Sequence, residues 1–77
     1  MDIRKVFSQN LRRLRLERGL SQEELAHRAG IDRTYVSALE RGVYSASITM
    51  LAKLAVVLEA EPSQLLDNVP KRGRAKN

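Results

Sequence analysis

Between Gly30 and Gly42 the chain reads GIDRTYVSALERG. Asp32 is a good N-cap residue and Gly42 suits a left-handed C′ position, so the stretch predicts a helix that starts from Asp32 and runs to Arg41. At 100° per residue from Arg33, Val36 and Leu39 fall near ~300° and ~240° and form a narrow apolar stripe. Tyr35 lies on the border of that stripe near ~200° and Glu40 on its other edge near ~340°. Arg33, Thr34, Ser37, Ala38 and Arg41 fill the arc from ~0° to ~140° with guanidinium, hydroxyl and methyl groups and no carboxylate. A solvated helix face ordinarily mixes acids with bases. The chemistry of this one suits base-pair edges in a major groove: Arg33 can take guanine O6 and N7 bidentately, Thr34 and Ser37 can donate or accept, and the Thr34 methyl and Ala38 can touch a thymine methyl.

The elements that must position this face are legible from their punctuation, and the chain reads as helical throughout. Ile3, Phe7, Leu11 and Leu14 repeat as a buried stripe of a first helix from about Asp2 to Arg18. Arg4, Lys5, Arg12 and Arg15 form an arc beside it, read either as a solvated face or as phosphate contacts. Ser21-Gln-Glu-Glu24 is a capping box that opens a second helix running to about Ala29. Only Gly30-Ile31-Asp32 separate that helix from the next, and so short a connection makes the two cross steeply, as in a helix-turn-helix. After a loop from Val43 to Ala46, Ser47 can cap a fourth helix, Ile48 to about Ala60, and Pro62 suits the start of a short fifth that carries Leu65 and Leu66. Residues 1–69 are expected to form one helix-turn-helix domain, and residues 70–77 a basic disordered tail.

Composition narrows the function classes. The net charge is +5, but Lys71, Arg72, Arg74 and Lys76 supply four of the fourteen basic side chains, leaving ten against nine acids in the rest. The overall basicity is therefore mostly a property of the tail. Within the body, residues 2–18 hold six basic side chains against two acidic, while residues 48–70 hold Lys53 against Glu59, Glu61 and Asp67, a field that could orient the domain on a polyanion. There is no cysteine and one histidine, His27, on the outer face of the second helix. With no second His, Cys or clustered carboxylate beside it, neither a metal site nor an enzyme is expected, and no cofactor or small-molecule ligand either. The longest apolar run, Leu54 to Leu58, is far below the roughly 20 residues of a membrane span. A cytoplasmic protein that does not bind membrane is expected.

The stretch QEELAHRAGIDRTYVSALERG resembles the Xre-type helix-turn-helix family, which includes phage repressors and Cro proteins. The small Ala26, the turn residues Gly30 and Ile31, and apolar Val36 and Leu39 sit where that motif places them, and the likeness covers about residues 3–67. The string from Asp32 to Ser37 also resembles restriction–modification controller proteins. The resemblance implies an all-α, compact five-helix, lambda-repressor-like DNA-binding domain with its helix-turn-helix at helices two and three. It implies that Arg33, Thr34, Ser37 and Ala38 face bases, and that Tyr35 reaches the backbone or a base. Gln22 and Ser47, each at a helix start, would meet phosphates, whereas Arg15 and Glu40 would form an ion pair that orients the reading helix. Three positions depart from the family pattern. The loop after Gly42 carries Val43-Tyr-Ser-Ala46 where Lys, Arg or Asn is common, leaving Tyr44 and Ser45, with Arg41, for the backbone. Glu59 replaces a glycine that commonly ends helix four, and Glu61 replaces a Ser or Thr cap.

The fourth helix is apolar over roughly 220°, against ~100° for a helix with one buried face. Ile48, Leu51, Ala52, Ala55 and Leu58 form one stripe and Met50, Leu54 and Val57 another. A central helix packed on both sides would account for this. So would a two-fold interface of Met50, Leu54 and Val57 with Leu65 or Leu66, and a homodimer is expected on that basis. The leading expectation is thus a transcriptional regulator binding double-stranded DNA as a homodimer on a near-palindromic operator. The alternative is an antitoxin or other interaction module whose main partner is a protein.

Overall fold

The computed structural model of the protein describes residues 2–67. The expected basic tail lies outside the described residues. Five α-helices follow in order: α1 Ile3–Glu17, α2 Gln22–Ala29, α3 Arg33–Glu40, α4 Ile48–Leu58 and α5 Pro62–Leu66. The start of each of the first four is fixed by a side chain. Asp2 accepts from the Arg4 N–H, and Ser47 accepts from the Met50 N–H. Ser21 and Glu24 form the reciprocal capping box of α2, and Asp32 accepts from the Thr34 N–H at the start of α3. Each supplies an acceptor to a backbone donor that has no partner within its helix.

Four helices end in the same chain reversal, in which the next two N–H groups return to carbonyls of the last turn. At α3, the Gly42 N–H donates to Leu39 O and the Val43 N–H to Ala38 O; at α4, the Glu59 N–H donates to Val56 O and the Ala60 N–H to Ala55 O. The reversing residue is left-handed every time. It is a glycine after α1, α2 and α3, but Glu59, at φ 55°, after α4. The fourth helix therefore stops at Leu58 rather than continuing to Ala60.

The helices enclose one core, in which Leu11, Leu25, Val36, Leu39, Leu54, Leu58 and Leu65 are fully buried. Burying each such side chain contributes about 1.5–3 kcal/mol relative to leaving it in water. Helix α2 packs on α3 and α4, α1 packs on α3 and α5, and α4 meets α5. Ile3, expected in the α1 stripe, is 49% exposed at the open end of that helix.

The arrangement corrects the expected dimer face. Leu54 and Leu65 are 0% exposed within the single chain and have no surface left for a second copy. Met50 and Val57 are half-buried against the same core. A helical wheel gives the width of an apolar arc but not which part faces in, and packing on both α2 and α5 turns Leu54, Ala55 and Leu58 inward. The apolar side left open is the ridge Ile48, Ala52 and Val56, with Ile48 86% and Val56 76% exposed. Leu66, at 41%, and Ile3 also lie open, and both border a shallow groove with Ile48 and Leu51.

Two polar side chains clasp the C-terminal elements. Asn10, buried on α1, donates from Nδ2 to Leu65 O at 3.0 Å and to Asp67 O at 2.7 Å, and accepts from Arg13 at its Oδ1. Arg18 donates from Nε to Leu58 O at 2.8 Å, and so holds the end of α4. Its ion pair with Glu59 is exposed, with side-chain exposures of 45% and 74%, and pairs of that kind contribute little. Replacing Glu59 with Gly is therefore expected to raise stability by about 1 kcal/mol, because a left-handed residue with a Cβ is strained. Urea unfolding measures it, and an unchanged midpoint would show that the left-handed turn costs nothing here.

Candidate nucleic-acid interface

The reading face is built on the connection between α2 and α3. Gly30, at φ 71°, ends α2, and the Ile31 N–H returns to Ala26 O. Two residues later Asp32 caps α3. The carboxyl of Asp32 is held below its ordinary value first by the Thr34 backbone N–H, then by the Thr34 hydroxyl, with the Arg33 charge adding to this against slight desolvation. It therefore stays ionised throughout the neutral range and keeps its acceptor role.

Arg33 and Thr34 at the start of α3 and Arg41 at its end are exposed, and Ser37 between them is half-buried. Among the described residues none of the two arginines has an ion-pair partner. Ala38, however, is 4% exposed and belongs to the buried side of α3. The expectation that its methyl faces bases is corrected. The wheel treats α3 as an isolated cylinder, whereas in the fold α3 packs against both α1 and α2. The open arc is narrower than the sequence implied and consists of Arg33, Thr34, Ser37 and Arg41.

Below that arc lies a buried polar junction. Arg15 on α1 donates from Nε to Glu40 Oε2 at 2.6 Å and from Nη2 to Glu40 Oε1 at 3.0 Å. The two side chains are 9% and 4% exposed. The remaining guanidinium nitrogen, Nη1, donates to Leu20 O at 2.8 Å. Gln22, in the first turn of α2, donates from Nε2 to the same Glu40 Oε1 at 3.0 Å. One carboxylate thus joins α1, α2 and α3. At Gln22, expected to meet a phosphate, one amide hydrogen goes to Glu40, a contact that spacing alone does not reveal, and leaves the second N–H to donate elsewhere.

Tyr35, in the first turn of α3, is half-buried, and Tyr44, in the loop after that helix, is 57% exposed. Ser45 and Ser47 are exposed in the loop between α3 and α4. The Ser47 oxygen accepts from Met50, which leaves its hydroxyl proton free to donate outward. His27 is exposed on α2, and no group of three His, Cys, Asp or Glu among the described residues could hold a metal ion. No helix among them is long and apolar enough to cross a membrane.

A short capped helix, crossed by a second through a glycine turn and presenting an acid-free face, defines the helix-turn-helix class. Residues 11–65 match the family model described as HTH_3, helix-turn-helix. The chain belongs to this Xre-type family of transcription regulators. It is 43% identical over 75 residues to a hypothetical transcription factor of Neisseria meningitidis, covering 97% of this chain and 69% of the relative. The crystal structure of the restriction–modification controller protein C.AhdI from Aeromonas hydrophila superposes with a TM-score of 0.78 at 47% identity, covering 80% of this chain and 94% of that one. The biofilm regulator SinR in complex with DNA superposes with a TM-score of 0.76 at 37% identity, covering 79% and 98%.

Truncating Arg15 alone, as Arg15→Met, strands the buried Glu40 carboxylate and is expected to cost about 3–5 kcal/mol. The double variant Arg15→Met/Glu40→Leu should be more stable than that single variant. Denaturant unfolding compares them, and equal losses would mean that the carboxylate finds water or another partner.

Proposed function

We propose that this chain is a sequence-specific transcriptional regulator that binds double-stranded DNA as a homodimer on a near-palindromic operator, with α3 in the major groove. The observation that carries the reading is the acid-free arc of exposed Arg33, Thr34 and Arg41 and half-buried Ser37, on a helix anchored from beneath by Arg15 and Glu40. The likeness to SinR in its DNA complex supports it. Arg33 takes a guanine edge, and Thr34 and Ser37 complete the base contacts. Tyr35, Arg41, Ser45 and Ser47 flank them along the backbone. Gln22 meets the phosphate through its second amide N–H together with the free N–H groups of the first turn of α2. Residues 1–69 form the reading unit, and the basic residues 70–77 add sequence-independent attraction.

The open ridge Ile48, Ala52 and Val56, with Leu66, is the surface on which two copies pair. A domain this small gains stability by association, and a two-fold pair places the two α3 helices about 34 Å apart, one turn of DNA. A protein-partner module would use the same ridge, and co-purification with a stoichiometric foreign chain would favour it.

Selection of bound sites from random duplexes tests the reading, and failure to bind any duplex at low salt would remove it. On the selected site, Arg33→Ala is expected to cost about 1–3 kcal/mol and to relax preference at one base pair per half-site. An equal loss on every sequence would make Arg33 a phosphate contact. Val56→Lys should shift the protein to monomer in sedimentation and weaken binding to the full site far more than to one half-site. An unchanged mass would place pairing elsewhere.

A further inference from the structure

Tyr35 and Tyr44 are the only tyrosines of the chain, which has no tryptophan. They stand on different elements, yet their ring centroids are 6.4 Å apart and their planes are inclined at 51°. That is within the range of favourable tilted aromatic pairs. The reversal after α3 brings them together. Gly42, at φ 75°, and the Val43 bond to Ala38 O turn the chain back beside the helix, and Tyr44 is the next residue. The two rings are not equivalent. Tyr35 packs partly against the core, while Tyr44 is 57% exposed in a loop. The loop that carries Tyr44, from Val43 to Ala46, has no charged side chain of its own with which to hold a phosphate.

We propose that Tyr44 is a positioning residue for Tyr35. Its ring lies against that of Tyr35 and limits it to one orientation at the border of the reading face. The freedom Tyr35 would lose on meeting DNA is then already lost in the unbound protein, which raises affinity without a new contact. The inference rests on α3 being the DNA-reading helix. It assigns the Tyr44 ring, rather than its hydroxyl, as the working group.

Two variants separate ring from hydroxyl. Tyr44→Phe keeps the ring and is expected to bind the selected operator within twofold of the parent. Tyr44→Ala removes it and is expected to lose about three- to tenfold in affinity for the selected site. That loss should vanish in a Tyr35→Ala background, since the two act as one unit. Ring resonances of Tyr35 in the unbound protein give a second readout. They should shift in Tyr44→Ala and stay in place in Tyr44→Phe. Equal weakening by Phe and Ala would assign the hydroxyl to a phosphate and overturn the proposal. So would a loss from Tyr44→Ala that persists without Tyr35, or no loss at all. If the parent protein binds no duplex, the reading of α3 falls and the proposal with it. A parent that binds, with Tyr44→Ala unchanged, overturns the proposal alone.

Discussion

A guanidinium and a carboxylate withdrawn from water set the geometry on which the rest of this molecule depends. Arg15 spends all three nitrogens at one place, two on Glu40 and one on the carbonyl of Leu20. Glu40 accepts a further bond from Gln22. Desolvating such a pair offsets most of its attraction, so its net contribution to stability is small while it is intact. What it contributes is orientation. Three helices meet at one carboxylate, and neither α1 nor α3 can rotate without leaving a buried charge unmatched. An eight-residue helix is too short to be stable alone in water. The angle at which α3 presents Arg33 and Thr34 is therefore a property of this junction and of the Leu39 and Val36 side chains packed beneath it.

The same economy appears at the helix ends. Where α1, α2, α3 and α4 stop, the chain reverses through a left-handed residue and two returning N–H bonds, and the following residue is apolar in each case: Leu20, Ile31, Val43 and Ala60. Connections this short leave the helices few relative arrangements. The loop after α3 departs from a purely structural role by carrying Tyr44 back to Tyr35.

The features legible in the sequence were those written locally. Ser21 with Glu24, Asp32 and Ser47 announced the helix starts, and Gly30 and Gly42 announced the ends, because caps and reversals depend on residues a few positions apart. The same punctuation carries the order of the helices, and the Xre-type resemblance the roles of the residues on them. Contacts between distant residues left no periodic trace. Asn10 with Leu65, Arg18 with Leu58, and Gln22 with Glu40 join polar groups across 55, 40 and 18 positions. A wheel places Ala38 on the open arc because it contains none of the helices packed around α3. An arc of apolar residues has a width but no label for its inner side, so the sequence alone leaves Leu54 and Leu65 open to either the core or a two-fold interface. Glu59 was noticed as a departure from glycine, yet only the fold gives its backbone angle.

The Asn10 amide has a consequence for the order in which the molecule is made. Its two acceptors, the carbonyls of Leu65 and Asp67, follow it by 55 and 57 positions. While the chain emerges from the ribosome, α1 to α4 can gather around Leu25 and Leu39, but the amide stays wet until α5 arrives. The final locking of the fold thus waits for α5, and a nascent chain halted before Leu65 would carry its hydrophobic centre uncovered on one side.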